Sequence, residues 1–341
     1  MTRGAKVTVA GAGALGLSCA LALADAGCAV TLCDPDPEAS ASAVAAGMIA
    51  PVFEAVLDAA AAPAFDLLLA ARDQWPGLEA RAGVRLDRSG AMAVGDAAWL
   101  AGVSAGLVRL GLHGIDLPRR TATELAPGLS TAFDHATLVR EDWRLEPRPA
   151  LAALRAAAES AGVQTRREAI QDVGDADWLV VATGAAQGLA PELAELTPIK
   201  GQIVRYAELR GAGVSVRAEG CYAVPAADGL AIGATMEPGL ADTAPDLEAL
   251  APMLAAGARL FPSLEDASFG LSAGVRAASP DGLPMAGFSA APKVILATGA
   301  RRNGWLLAPL MAQVVAACVT GRDAGPYVAR LDPRRFEKGS G

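Results

Sequence analysis

Histidine is nearly missing from this chain: His113 and His135 are the only two in 341 residues. Neither sits in an HExxH or HxH spacing, so a His-ligated metal centre or a Ser-His-Asp hydrolase would have to be assembled from this pair alone. Both read more simply as surface or capping residues, and no metal site is expected. Cysteine offers no framework either. Cys19, Cys28, Cys33, Cys221 and Cys318 make an odd count without a CxxC pair, which argues against disulfides and structural zinc and for a reducing cytoplasm. Tyrosine is scarce, with three residues, so any tyrosine inside a motif draws notice. Clustered positive charge is lacking too: the net charge is −8 and the basic residues are scattered, so no nucleic-acid partner is expected. Apolar residues, by contrast, make up 52% of the chain, enough for one or two full cores. The length suggests about two domains.

No apolar run is long enough and free enough of glycine to be a membrane span. The nearest candidate, "VTVAGAGALGLSCALALADAGCAVTLCD" (7 to 34), holds Asp25 and several glycines, and no positive flank follows it. Arg3 and Lys6 precede it as they would precede a signal peptide, but an h-region of about 7 to 15 residues carries no internal three-glycine turn. A soluble reading accounts for each residue. "KVTVAG" reads as a buried parallel strand and Gly11, Gly13 and Gly16 form GxGxxG. A helical pattern then runs to Gly27, and "CAVTLCD" is a second strand ending at Asp34. That is a dinucleotide-binding βαβ unit. Gly11 permits the tight turn, Gly13 lets a pyrophosphate approach the backbone, Gly16 lets helix and strand pack closely, and the helix N-terminus, with Ala14 and Leu15, faces the phosphates. Asp34, followed by Pro35, is placed to accept hydrogen bonds from a ribose.

The fingerprint alone does not separate NAD from FAD. Two later stretches, "DADWLVVATGAAQG" (175 to 188) and "KVILATGARRNGWLLAPLMAQVVAACVTG" (293 to 321), each read as a buried strand ending in a turn of small residues, the second followed by a helix. They suggest a discontinuous cofactor domain built from the beginning, middle and end of the chain.

At this point the chain resembles the FAD-dependent amine and amino-acid oxidases of the D-amino-acid oxidase superfamily, and most closely the glycine oxidases associated with thiamine biosynthesis. The carriers are "GAGALG" (11 to 16), "SAVAAGMIAP" (42 to 51), "LEPRPALAALRAAAESAGV" (145 to 163), "VVATGA" (180 to 185), "TPIKGQ" (197 to 202), "CYAVPAADGLAIGATMEPG" (221 to 239), "SAGVRAASPDGLPMAG" (272 to 287) and "RRNGWLLAP" (301 to 309). The resemblance implies non-covalent FAD as cofactor. It implies cofactor contacts from Gly11, Gly13, Ala14, Leu15, Gly16, Asp34, Pro35, Ala41, Ser42, Ala46, Gly47, Met48 and Gly184. Ile170, read here in a strand "EAIQDV", would meet the adenine, and the run Ala300, Arg301, Arg302, Asn303, Gly304, Trp305 and Leu306 would follow the flavin edge. Cys318, in an apolar helix, reads as a core residue rather than an attachment point.

On the substrate side, Arg276 stands among small and apolar residues with no acid until Asp281, and a buried guanidinium needs a planar anion. The resemblance implies that it grips the substrate carboxylate. Tyr222 would assist it, Met236 would line an apolar pocket near the amine, and Arg302 would be a second substrate-side arginine. Relatives usually carry a histidine and an aromatic before "RNG"; here Ala300 and Arg301 stand there. Leu271 or Ser272 replaces a ring, "RP" has become Arg276-Ala277, and Gly220 lies two residues before Tyr222. These departures imply a pocket wider than one shaped for glycine.

The reaction implied is oxidative deamination of glycine or a similar small carboxylate-bearing amine, by hydride transfer to flavin N5, with O2 reoxidising the flavin to give H2O2. Such chemistry belongs to the cofactor and needs no side-chain base, and none stands out. Two alternatives stay open: a flavin dehydrogenase of D-amino or N-methyl amino acids using another acceptor, and a non-catalytic flavin-binding sensor. The expected fold is α/β. A Rossmann-like FAD-binding domain would comprise 1–80, 140–205 and 272–341, and an α+β antiparallel-sheet substrate domain would comprise 81–139 and 206–271. "PRRTATELAPGLS" (118 to 130) reads as a loop and short helix, and only the tail "RRFEKGSG" reads as disordered. A cytoplasmic homo-oligomer with no membrane partner completes the expectation.

Overall fold

In the computed structural model, residues 4–209 and 213–336 are described. The opening motif folds as its pattern dictates. The strand Lys6–Ala10 buries Val7 and Val9, the turn passes through Gly11 at φ 101°, the helix Ala14–Asp25 follows, and Ala29–Cys33 returns parallel to the first strand. The left-handed turn at Gly11 suits glycine. Gly16 permits contact between helix and turn: a Cβ there would lie 1.8 Å from the Gly11 carbonyl oxygen.

Six strands form the sheet that carries this unit, in the spatial order Met285–Phe288, Val294–Thr298, Trp178–Val181, Lys6–Ala10, Ala29–Cys33 and Gln164–Arg166. All neighbours run parallel except the Met285–Phe288 edge. The two late strands thus lie side by side on one flank of the first one, Trp178–Val181 next to it and Val294–Thr298 beyond, and the helix Gly304–Thr320 packs against Ala14–Asp25 across the main apolar core. Among the described residues no helix is long and apolar enough to cross a membrane.

A second sheet of nine strands is antiparallel but for the parallel pair Ser215–Ala218 with Ala91–Val94. Its longest ladder joins Thr197–Tyr206 to Gly270–Ala278, from Thr197 opposite Ala278 to Arg205 opposite Gly270. The boundaries expected at 205 and 272 therefore fall inside strands of this sheet. Both strands belong to it because each satisfies its backbone groups on the other. The helix Arg119–Leu125 occupies the segment read as loop and short helix.

Two local expectations are corrected. Ile170 is not in a strand: pairing ends at Arg166, and residues 167–171 run outside any ladder. The start of the tail is ordered, since Pro333–Phe336 forms a 3-10 turn held by Arg335, which donates to Asp281 at 2.7 Å. Residues 337–341 lie outside those described.

Candidate active site

An elongated cavity of about 890 Å³ runs from the ends of the parallel strands to the face of the nine-stranded sheet. One end is built by the glycine turn. Asp34 accepts from the Ala12 amide at 2.7 Å and from the Asp36 amide at 2.9 Å, so its carboxylate holds the turn as well as bordering the cavity. The helix Ala14–Asp25 starts at Gly13, which has no side chain to cap it, and Gly13, Ala14 and Leu15 line the cavity. A twelve-residue helix leaves first-turn N–H groups and the positive end of its dipole facing that space, an arrangement suited to phosphate. Ser42 crosses over to accept from the Ala14 amide at 3.0 Å.

The other end is made by two facing strands. Arg276 on Gly270–Ala278 reaches over Gly201, donates to the Thr235 carbonyl at 3.1 Å and contacts the Met236 sulfur at 3.3 Å. It has no acidic partner among the described residues. Burial draws its pKa below the usual guanidinium range, although Tyr222 and Glu54 act the other way. Tyr222, on Cys221–Ala226, is buried, with its hydroxyl over Gly233, where a Cβ would lie 2.4 Å from the oxygen. Burial raises the phenol above its ordinary value against the pull of Arg276, Arg302 and Arg217.

Beneath these lies a cluster that sequence reading missed. Glu54 is 4% exposed on the helix Pro51–Leu57; its Oε1 accepts from Arg217 at 2.8 Å and from Arg302 at 3.4 Å. Asp58 pairs with Arg301 and lies 3.6 Å from Arg302. Burial pushes the Glu54 carboxyl up, but Arg302, Arg217 and Arg301 outweigh it and hold it below the usual carboxylate range. Its nearest signal in sequence is a lone acid in the apolar stretch "MIAPVFEAVL". Nothing local marks its partners, which lie 163 and 248 residues away. Asp142, 1% exposed, caps this helix by accepting from the Val52 and Phe53 amides at 2.8 and 3.0 Å, and burial pushes its pKa to about 7.

The "PIKGQ" stretch also acquires a physical reading. Lys200 pairs with Asp242 at 2.8 Å. Gln202, fully buried, donates to Glu237 at 3.0 Å and accepts from the Asp246 amide at 2.8 Å. Together they hold the loop whose Ala241 and Thr243 close part of the cavity.

The cavity brings together Gly11, Gly13, Ala14, Leu15, Asp34, Pro35, Ala41, Ser42, Ala46, Gly47, Met48, Ile170, Gly184, Tyr222, Met236, Arg276 and the run Ala300–Trp305. Two expected contacts are absent from its wall. Gly16 is turned to the Gly11 carbonyl, and Leu306 is fully buried in the core, because the helix that starts at Gly304 turns it inward. Cys318 borders a separate small pocket.

Residues 6–318 match the DAO family, FAD dependent oxidoreductase. The chain belongs to this family. As a DAO-family protein it is an FAD-dependent oxidoreductase, with FAD as its cofactor. It is 36% identical over 178 residues to a glycine oxidase of Pseudomonas aeruginosa, and 37% identical over 187 residues to a bifunctional protein ThiO/ThiG of Trichormus variabilis. These alignments cover 49% and 52% of this chain, but only 48% and 28% of those relatives. The crystal structure of glycine oxidase from Geobacillus kaustophilus superposes with a TM-score of 0.84 at 25% identity, covering 98% of this chain and 100% of that one. The residues present fit FAD: the glycine turn and helix N-terminus offer a cradle that a Cβ at Gly13, 3.0 Å from Ser42 Oγ, would narrow, and Asp34 borders the same space.

Proposed function

We propose that this oxidoreductase oxidises glycine or a similar small amine bearing a carboxylate. The observation that carries the reading is Arg276, a guanidinium on the cavity wall with no acid to pair with among the described residues. A desolvated guanidinium without a counter-ion is costly, and a ligand carboxylate removes that cost through two parallel charge-assisted bonds. Tyr222 Oη, on the same wall, donates to the same group, and Arg302 adds positive potential alongside.

Gly11, Gly13, Ala14, Leu15 and Ser42 would hold the pyrophosphate of FAD and Asp34 its ribose. Gly47, Met48, Ala300 and the start of the helix Gly304–Thr320 would border the ring. FAD, when bound, supplies the two-electron acceptor for the substrate C–H bond and passes the electrons to O2. The protein fixes the carboxylate, directs the α-carbon towards the ring and excludes water. Met236 closes the apolar side.

The test is an absorbance spectrum of the purified protein, followed anaerobically as glycine, sarcosine and D-alanine are added in turn. Bleaching of the flavin bands by at least one of them, and their return on admitting air, is expected. Bands that none of the three bleaches would overturn the substrate class. Bands that bleach but return only with another acceptor would replace O2.

A further inference from the structure

The two oxygens of Glu54 differ in circumstance. Oε1 serves Arg217 and Arg302, while Oε2 is shut away from solvent without a hydrogen-bond partner among the described residues. An unmet acceptor of this kind is destabilising, more so when charged. The side chain borders the cavity, and the terminal torsion of a glutamate is soft, so a turn of the whole carboxylate, both oxygens moving together, brings Oε2 to the wall. The surrounding guanidinia keep the carboxyl ionised.

This end of the cavity therefore presents a cation without an acid, Arg276, and an anion with an oxygen to spare, Glu54. They are near enough for the charge of Glu54 to be felt at Arg276. An α-amino acid zwitterion carries the complementary pair, carboxylate and ammonium on one carbon. We propose that Glu54 Oε2 accepts a hydrogen bond from the ammonium group of the substrate, so that Arg276 and Glu54 form a two-point receptor for a zwitterion. This rests on the amine-oxidising reading above. Glu54 thereby favours substrates with an N–H to donate over plain carboxylates.

Calorimetric titration of the flavin-loaded protein with 2-aminoisobutyrate and with pivalate tests it. The two ligands share shape and carboxylate, differ in the ammonium, and carry no α-hydrogen, so neither reduces the flavin. The wild-type protein is expected to bind 2-aminoisobutyrate at least tenfold more tightly. In Glu54→Gln the preference should vanish or invert, with pivalate bound as well as before or better. An unchanged preference, an equal loss for both ligands as from a mere prop of Arg302, or no measurable binding of 2-aminoisobutyrate to the wild-type protein would overturn the proposal. Should Glu54→Gln fail to fold, the wild-type preference decides alone, and pivalate binding as tightly as 2-aminoisobutyrate overturns it. Failure of the parent reading shows separately, as flavin that no amine bleaches.

Discussion

The guanidinium of Arg276 fills the space that a side chain at Gly201 would take: a Cβ there would lie 2.2 Å from both terminal nitrogens. Gly201 and Arg276 lie on adjacent strands, two residues off register in the ladder that pairs Ile199 with Arg276 and Gly201 with Gly274. The glycine of "PIKGQ" is thus explained by an arginine 75 positions later.

Gly201→Ala is expected to displace Arg276 and raise KM about tenfold or more, with the flavin retained. Steady-state kinetics beside the ratio of flavin to protein absorbance would check this. Loss of flavin with an unchanged KM would mean that the methyl group is absorbed elsewhere.

Removing the cation itself goes further. Arg276→Ala forfeits a charge-assisted contact of about 1.5–3 kcal/mol, a loss of roughly 10- to 150-fold in substrate affinity. Bound flavin should persist. Unchanged kinetics would take Arg276 out of the site.

Asp34 holds two backbone amides, one on each oxygen. Asp34→Asn puts an amide NH2 against one of those donors, leaving it unmet at about 1–3 kcal/mol. The variant should fold yet lose flavin on gel filtration where the wild-type protein keeps it. Full retention would show that the turn holds without the carboxylate.

Asp142 predicts a pH signature. Its folded pKa stands at about 7 against an ordinary 3.8, so between these values the native state binds a proton that the unfolded state has lost. Stability from this group is complete below about pH 4 and declines as pH rises through about 7. Asp142→Asn should lower Tm overall, because one of the two helix amides it caps loses its acceptor. It should also flatten the fall in Tm between pH 5 and 8 relative to wild type, as thermal melts across that range would show. A parallel fall in both proteins would mean that Asp142 does not titrate there.

Much of the cofactor half was legible in the residues themselves. GxGxxG with its strand, helix and terminal acid is a local pattern, and the late "ATGA" turns repeat it, because tight turns and buried parallel strands impose their residue types over a few neighbouring positions. Arg276 stood out by its setting among small and apolar residues, and Tyr222 by the scarcity of tyrosine. Ile170 was misread because "EAIQDV" alternates like a strand, whereas ladder pairing stops at Arg166. The second sheet's reach past 205 and 272 was not legible, because the ladder between Thr197–Tyr206 and Gly270–Ala278 joins segments that look unrelated along the chain.

By itself, then, the sequence determined the nucleotide-binding unit, the apolar core periodicity and the scarcity of histidine, since each depends on the kind or local order of residues. The tertiary structure alone decided the charge balance of the substrate end: Glu54 against Arg217 and Arg302, Asp58 against Arg301, and the two glycines beneath Arg276 and Tyr222. Those relations arise where strands and helices distant in sequence meet, and burial sets the strength of a charge only once the chain has closed around it.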